Sequence, residues 1–218
     1  MPPTTWIILA AYGSLLVELT VFPIPSEAST FQLLFRAEPE ASEREASSLV
    51  RARERSILAK LFLYTLPTAV GIALFSIPLA AAFHPELIDR LLPIAALHAS
   101  AFAWAGAALV VAGRVLTFAS VLQLRRHKRA GALSARGLFT LSRNPGLVGM
   151  YLFYLGNALV FPCVILFIGF VPYVLNMHRR VLMEESHLAR KLGADYRVYL
   201  ESVPRYLSLT PARREPPR

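Results

Sequence analysis

The stretch that decides the fold spans positions 137–199 and has two polar ends around an apolar middle. It opens with GLFTLSRNP at 137–145 and closes with RRVLMEESHL at 179–188, followed by GADYRVY at 193–199. The residues from Pro145 to Met177 include no charged side chain. An uncharged run of this length is typical of membrane-spanning segments. We expect the run to fold back on itself, so that its two polar ends build one site at the membrane surface.

The composition of the whole chain agrees with a membrane protein. Apolar residues make up 55% of the 218 residues and the mean hydropathy is +0.48, and the apolar residues come in long blocks. The net charge is +9, but the basic residues cluster at the block ends, which favours anionic lipid headgroups over nucleic acid as partners. The single cysteine, Cys163, excludes a disulfide or zinc framework within the chain.

Four apolar blocks predict about five membrane crossings. The first three cover 4–22, 57–83 and 91–124, and the fourth covers 145–177. As one straight helix the fourth block would be about 50 Å long, well beyond a membrane core of about 30 Å. We expect Phe161-Pro162 to divide it into a hairpin of Gly146–Val160 and Cys163–Arg180. One strongly tilted helix, kinked at Pro162 and Pro172, is the alternative.

Several polar residues and prolines lie within or beside these blocks. Glu18 is expected close to the membrane interface rather than in a buried functional position. Pro67 and Pro78 predict kinks in the second block. His98 is expected to be a hydrogen-bonded interior or interfacial side chain.

The distribution of basic residues predicts the orientation in the membrane. Lys and Arg number six in 36–60, six in 125–143 and nine from 179 onward, whereas the turn between the second and third blocks has Arg90 alone. Five crossings with the N-terminus outside place all three basic segments in the cytoplasm, as the positive-inside rule requires. The predicted fold is therefore an all-α, multi-pass integral membrane protein that ends in a cytoplasmic helix.

The closing polar end carries groups that could bind a ligand. Arg180 and Glu184 are four residues apart and share a helix face. A carboxylate there can pair with a ribose diol or an ammonium group, and an arginine with an anion. A solvated salt bridge on a helix at the membrane surface explains the same spacing. No cluster of metal ligands is visible in the sequence.

The order of the motifs resembles the integral-membrane methyltransferases of the isoprenylcysteine carboxyl methyltransferase and phospholipid methyltransferase superfamily. In that family, a helix that contains a glycine is followed by the pattern Gly-x-(aromatic)-x-x-x-Arg-His-Pro-x-Tyr-x-Gly. An apolar hairpin comes next, and then Glu-Glu-x-x-Leu and Gly-x-x-Tyr-x-x-Tyr. The matching residues here are, in order, Gly113, Gly137, Phe139, Arg143, Asn144, Pro145, Gly149, Glu184, Glu185, Leu188, Gly193, Tyr196 and Tyr199. The ordered set covers roughly 113–207.

The resemblance implies methyl transfer from S-adenosylmethionine to a lipophilic acceptor, either a carboxylate such as a prenylated cysteine or a lipid amine. No metal is implied, and the acceptor enters from the bilayer to a site on the cytoplasmic face. The cofactor-binding positions carried over are Gly131, Ala132, Leu133, Ser134, Phe139, Arg143, Asn144, Pro145, Leu147, Glu184 and Tyr196. Arg180 corresponds to an arginine near the substrate carboxylate, and Glu185 and His187 are the candidate bases for an amine acceptor.

Two positions depart from the family pattern. Asn144 replaces the histidine and cannot titrate, so no acid–base role is expected there. Leu147 replaces the tyrosine and removes a hydroxyl that would hold the cofactor.

The resemblance also suggests how the chain is divided. Residues 1–112 would form N-terminal transmembrane helices with a charged cytoplasmic linker at 38–55, residues 113–207 a methyltransferase core, and residues 208–218 a tail. Two other functions fit a helical membrane protein: an NADPH-dependent reductase of the sterol type, and a non-enzymatic protein whose Glu-Glu helix serves packing or partner binding.

Overall fold

The computed structural model describes residues 1–21, 55–129 and 136–207, and every regular element in these ranges is a helix. Predictions for the linker, the tail and the loop residues Gly131 to Ser134 fall outside the described residues, apart from position 55. Four helices are long and apolar enough to cross a membrane, and a fifth apolar helix is shorter. They are α1 (Pro3–Val21), α2 (Ile57–Phe83), α4 (Ser100–Arg129), α5 (Pro145–Val160) and α6 (Val164–Lys191), with short helices α3 (Glu86–Arg90) and α7 (Gly193–Ser202). The predicted all-α membrane fold is confirmed.

The predicted hairpin is present. Helix α5 ends at Val160 and α6 begins at Val164, with Phe161 and Pro162 in the break. The backbone there pairs with the segment before α4, because the Ile94 amide donates to the Pro162 carbonyl (3.0 Å) and the Val164 amide to the Leu92 carbonyl (2.9 Å). This pairing defines one end of the bundle, which we call the turn end. The opposite end, where α5 begins and α6 finishes, is called the polar end.

Helices α4 and α5 are the most closely packed pair of described helices, and two reciprocal glycine contacts allow their close approach. A Cβ atom on Gly113 would lie 2.5 Å from the Gly149 carbonyl oxygen, and one on Gly106 would lie 2.6 Å from that of Gly156. Both pairs are seven residues apart on their helices, so they lie along one seam. Small residues of this kind let membrane helices approach until their backbones touch. The seam fixes the start of α5 against α4.

One predicted boundary was wrong. The third block was expected to be helical from about Leu91, but α4 begins at Ser100 because residues 92–94 pair with the hairpin break instead. The helix of the second hairpin arm was expected to continue beyond Arg180 and to carry Glu184 and Glu185, and α6 continues to Lys191. In the extension beyond Arg180, the side chains of Val181, Met183 and Glu185 are buried.

The prediction for Glu18 was also wrong. Its side chain is buried and accepts a hydrogen bond from Arg114 Nη2 at 2.6 Å. Ser14 accepts from Arg114 Nε at 3.0 Å, and the guanidinium carbon lies 5.7 Å from the centre of the Phe153 ring. An unpaired charge between apolar helices is costly, and the short pair with Arg114 offsets part of that cost. The pair ties α1 to α4.

The second block is one helix with a local change of pitch. Residues Leu61–Thr65 form a π-helical turn immediately before Pro67, and α-helix resumes at Leu66. Proline lacks an amide hydrogen, and a π-helical turn is one way to accommodate the missing bond. His98 lies exposed in the turn before α4.

Candidate functional site

The two polar motifs that flank the hairpin meet at the polar end of the bundle. Arg143, just before α5, forms an ion pair with Glu185 on α6, with 3.2 Å between Nη1 and the carboxylate oxygen. The other oxygen of the same carboxylate accepts from Arg205 Nε and Nη2 at 3.0 and 2.9 Å. We call Arg143, Glu185 and Arg205 the arginine clamp. The clamp joins residues 42 and 20 positions apart in sequence into one partly buried cluster.

The segment after α7 is held to the segment before α5 by further hydrogen bonds. The Arg143 amide donates to the Pro204 carbonyl (2.9 Å), and Asn144 Nδ2 donates to the Arg205 carbonyl (3.1 Å). Ser142 is fully buried and its hydroxyl accepts from the Asn144 amide at 3.0 Å. The side chain of Asn144 thus fixes the backbone of the C-terminal segment, and Pro145 begins α5 directly after it.

Aromatic side chains of α7 complete this cluster. Tyr199 donates its hydroxyl hydrogen to the Phe139 carbonyl at 2.8 Å, and Tyr196 packs beside it. Burial raises the pKa of Tyr196 to about 12, and the nearby Glu185 carboxylate acts in the same direction. The hydrogen bond from Arg205 to Glu185 raises the pKa of the Arg205 guanidinium, and burial acts in the opposite direction. The phenols therefore stay neutral and the guanidinium stays charged at ordinary pH.

The other α6 residues predicted to act lie near the clamp but face different neighbours. Arg180 Nη2 donates to Thr68 Oγ1 on α2 at 2.7 Å, so the structure ties Arg180 to α2 rather than to the clamp. Glu184 lies within electrostatic reach of both Arg180 and Tyr196. His187 is half-buried two residues beyond Glu185.

The clamp changes what can be expected of Glu185. Glu185 accepts three hydrogen bonds from Arg205 and forms an ion pair with Arg143, so both of its oxygens are engaged by guanidinium groups. Its geometry is that of a positioning group. Leu147, in the first turn of α5, is half-buried and contributes no polar group.

Sequence reasoning missed four residues of this region. Arg205 and Tyr206 lie beyond the last recognised motif, and His178 and Tyr151 lie at or inside the apolar run. His178 Nδ1 is 2.6 Å from the hydroxyl oxygen of Tyr206. Pro204 was the available signal in the sequence, because a proline cannot continue a helix. Helix α7 ends at Ser202, and the chain then runs beside the start of α5.

Fold and site together define a helical membrane protein with a polar, partly buried cluster at one end of its bundle. Residues 101–195 match the family model described as phospholipid methyltransferase. The match covers just under half of the chain and confirms the predicted resemblance to the membrane methyltransferase superfamily. It indicates a methyltransferase that acts on a lipid-related substrate. No curated protein and no solved structure matches the chain.

Proposed function

We propose that the protein transfers a methyl group from S-adenosylmethionine to a lipophilic acceptor at the cytoplasmic face of the membrane. The observation that carries the proposal is the ion pair between Arg143 and Glu185, because it brings the two halves of the family motif together at one end of the bundle. The family match favours a methyltransferase over the reductase and the non-enzymatic protein.

The side chains at the polar end suit a donor that carries a carboxylate, an ammonium group, a ribose and an adenine. Arg143 Nε is buried and has no hydrogen-bond partner among the described residues, so it has a donor to offer an anionic ligand. Glu184 supplies an acceptor for an ammonium group or a ribose diol. Phe139 and Tyr196 add two aromatic side chains, both of them buried. The residues proposed to hold the donor are Phe139, Arg143, Asn144, Pro145, Leu147, Glu184 and Tyr196, together with Gly131, Ala132, Leu133 and Ser134.

When bound, the donor supplies a methyl group on a sulfonium, which is already activated for transfer. The protein then has to align the acceptor and exclude water, since positioning alone accounts for large rate effects. Arg180 is proposed to orient the acceptor, because its Nε is buried and its Nη2 is fixed by Thr68.

Calorimetric titration of S-adenosylhomocysteine into the detergent-solubilised protein tests the proposal. We expect micromolar affinity in the natural chain and at least a tenfold loss in Glu184→Ala. The matched control is Glu86→Ala, which removes an exposed carboxylate at the turn end and should leave the affinity unchanged. Absence of binding to folded protein with lipid present would contradict the proposal.

A further inference from the structure

A second polar cluster lies beside the arginine clamp, between α5, α6 and the C-terminal segment. The Tyr206 hydroxyl is 2.6 Å from His178 Nδ1, and the two rings are 5.9 Å apart. The Tyr151 ring lies 6.0 Å from that of Tyr206. All three side chains are half-buried, so they are shielded from solvent but can be reached by a ligand.

The clamp holds this cluster in place. Arg205 and Tyr206 are consecutive, and while the Arg205 side chain pairs with Glu185, the Tyr206 side chain reaches between α5 and α6. The position of the Tyr206 hydroxyl is therefore tied to the clamp, which also includes Arg143 of the candidate donor site. The Tyr151 hydroxyl is buried and makes no hydrogen bond of normal geometry with the described residues.

We propose that His178 and Tyr206 together take a proton from the methyl acceptor, which is therefore an amine or a phenolic hydroxyl rather than a carboxylate. The inference rests on the proposed methyl transfer. It assigns to these two side chains the proton-accepting role that the sequence suggested for Glu185 or His187. Glu185 is occupied by two guanidinium groups, whereas His178 is paired with a neutral hydroxyl.

The proton balance is simple. With neutral His178, Nδ1 accepts the Tyr206 hydrogen bond; the hydroxyl passes its proton to Nδ1 while its oxygen takes the proton of the acceptor. An ammonium becomes an amine, or a phenol becomes a phenolate, and the imidazole becomes an imidazolium. The lone pair released on nitrogen or oxygen forms the bond to the methyl carbon as the carbon–sulfur bond breaks, with both electrons remaining on sulfur. A carboxylate is already ionised at neutral pH and needs no such group.

The proposal predicts how the rate depends on pH. Protonated His178 cannot accept another proton, so transfer slows as the pH falls and levels off once the ring is neutral. The titratable groups packed against His178 are Tyr206 from the C-terminal segment and, through it, Tyr151 from α5. On its own helix, Arg180 is turned towards Thr68.

The test uses membranes containing the full chain and S-adenosylmethionine labelled in its methyl group. Methyl esters release their label in alkali, whereas N-methyl and phenolic O-methyl groups keep it. We expect alkali-stable label in lipid, and a kcat about 100-fold lower in His178→Gln and in Tyr206→Phe. Glutamine at position 178 can accept the Tyr206 hydrogen bond but cannot take up a proton. The kcat of His178→Gln should therefore keep rising with pH in the range where the kcat of the natural chain has levelled. The mass of the labelled lipid separates an amino lipid from a phenolic one.

The remaining measurements separate this inference from the proposed function. Affinity for S-adenosylhomocysteine should be unchanged in both variants, and His98→Gln, at the exposed turn end, should behave as the natural chain does. Alkali-labile label, or alkali-stable label with full activity in His178→Gln, overturns the inference and leaves the proposed function standing. If His187→Gln loses activity while His178→Gln and Tyr206→Phe keep it, the proton-accepting role belongs to His187 and the inference is overturned. No donor binding and no label in the natural chain would overturn the proposed function and this inference with it.

Discussion

At the scale of single residues, the two adjacent glutamates of α6 have different environments. Glu185 is enclosed by the two guanidinium groups of the clamp, and Glu184 lies towards Arg180 and Tyr196. The same motif therefore contains one carboxylate that positions the C-terminal segment and one proposed to contact the methyl donor. Their amide variants should differ accordingly.

Glu185→Gln is expected to lower the free energy of unfolding by about 1–3 kcal/mol, since it removes the counter-charge of the largely buried Arg143 and of Arg205, whose side chain is a third exposed. Thermal unfolding of the detergent-solubilised protein measures the effect. Glu184→Gln is the matched control and should keep the melting temperature while losing affinity for S-adenosylhomocysteine. Equal melting temperatures for the two variants would mean that the clamp does not hold the fold together.

Single residues also show where sequence reasoning stops. The glutamate pair, Arg143 and Tyr196 could be assigned to one site because their motifs lie on either side of an apolar hairpin. The partner of Glu18 could not be assigned, because Arg114 is 96 residues away and the contact depends on how α1 packs against α4. The His178–Tyr206 pair was missed for the same reason, since 28 residues and a complete helix separate its members.

At the scale of the elements, the seam between α4 and α5 determines where α5 begins and hence where Asn144 and Pro145 lie. Thr117, one turn beyond Gly113, contacts the Gly146 carbonyl across this seam at 3.3 Å. Any change that separates the two helices should therefore also displace the start of α5.

Gly113→Ala is expected to destabilise the protein by about 1–3 kcal/mol, because the new methyl group would lie 2.5 Å from the Gly149 oxygen and 2.6 Å from the Phe153 amide nitrogen. Those are backbone atoms, which cannot move aside cheaply. The matched control is Gly13→Ala in α1, where a Cβ atom meets nothing within 4 Å and alanine is the better helix former. A lower melting temperature in Gly113→Ala alone supports the seam; equal changes in both variants would contradict it.

The elements themselves were predictable wherever a local cue existed. The break at Phe161-Pro162 follows from proline chemistry and from the length of the apolar run. The late start of α4 had a cue in Pro93 that the block boundaries did not use, and the packed structure shows the rest: Leu92 and Ile94 form hydrogen bonds with residues 164 and 162 instead of joining the helix. The continuation of α6 to Lys191 depends on burying Val181, Met183 and Glu185, which only the packed structure reveals.

At the scale of the whole molecule, the two ends of the bundle differ sharply in charge. The turn end carries Arg90 and the exposed pair His84 and Glu86, while the clamp and most of the charged residues of α6 and α7 lie at the polar end. The hairpin returns the chain to the end from which it started, so α4, α5 and α6 all contribute to the polar end. Such an asymmetry predicts a single orientation in the membrane.

Cysteine labelling on intact cells tests this orientation. In a Cys163→Ser background, which removes a buried thiol, His84→Cys at the turn end and Val198→Cys on α7 both introduce exposed thiols. A membrane-impermeant maleimide should label His84→Cys on intact cells and Val198→Cys only after lysis, because the positive-inside rule places the basic polar end in the cytoplasm. The reverse pattern would place the candidate site outside the cell, and labelling of both positions on intact cells would mean that the bundle does not separate its two ends across the membrane.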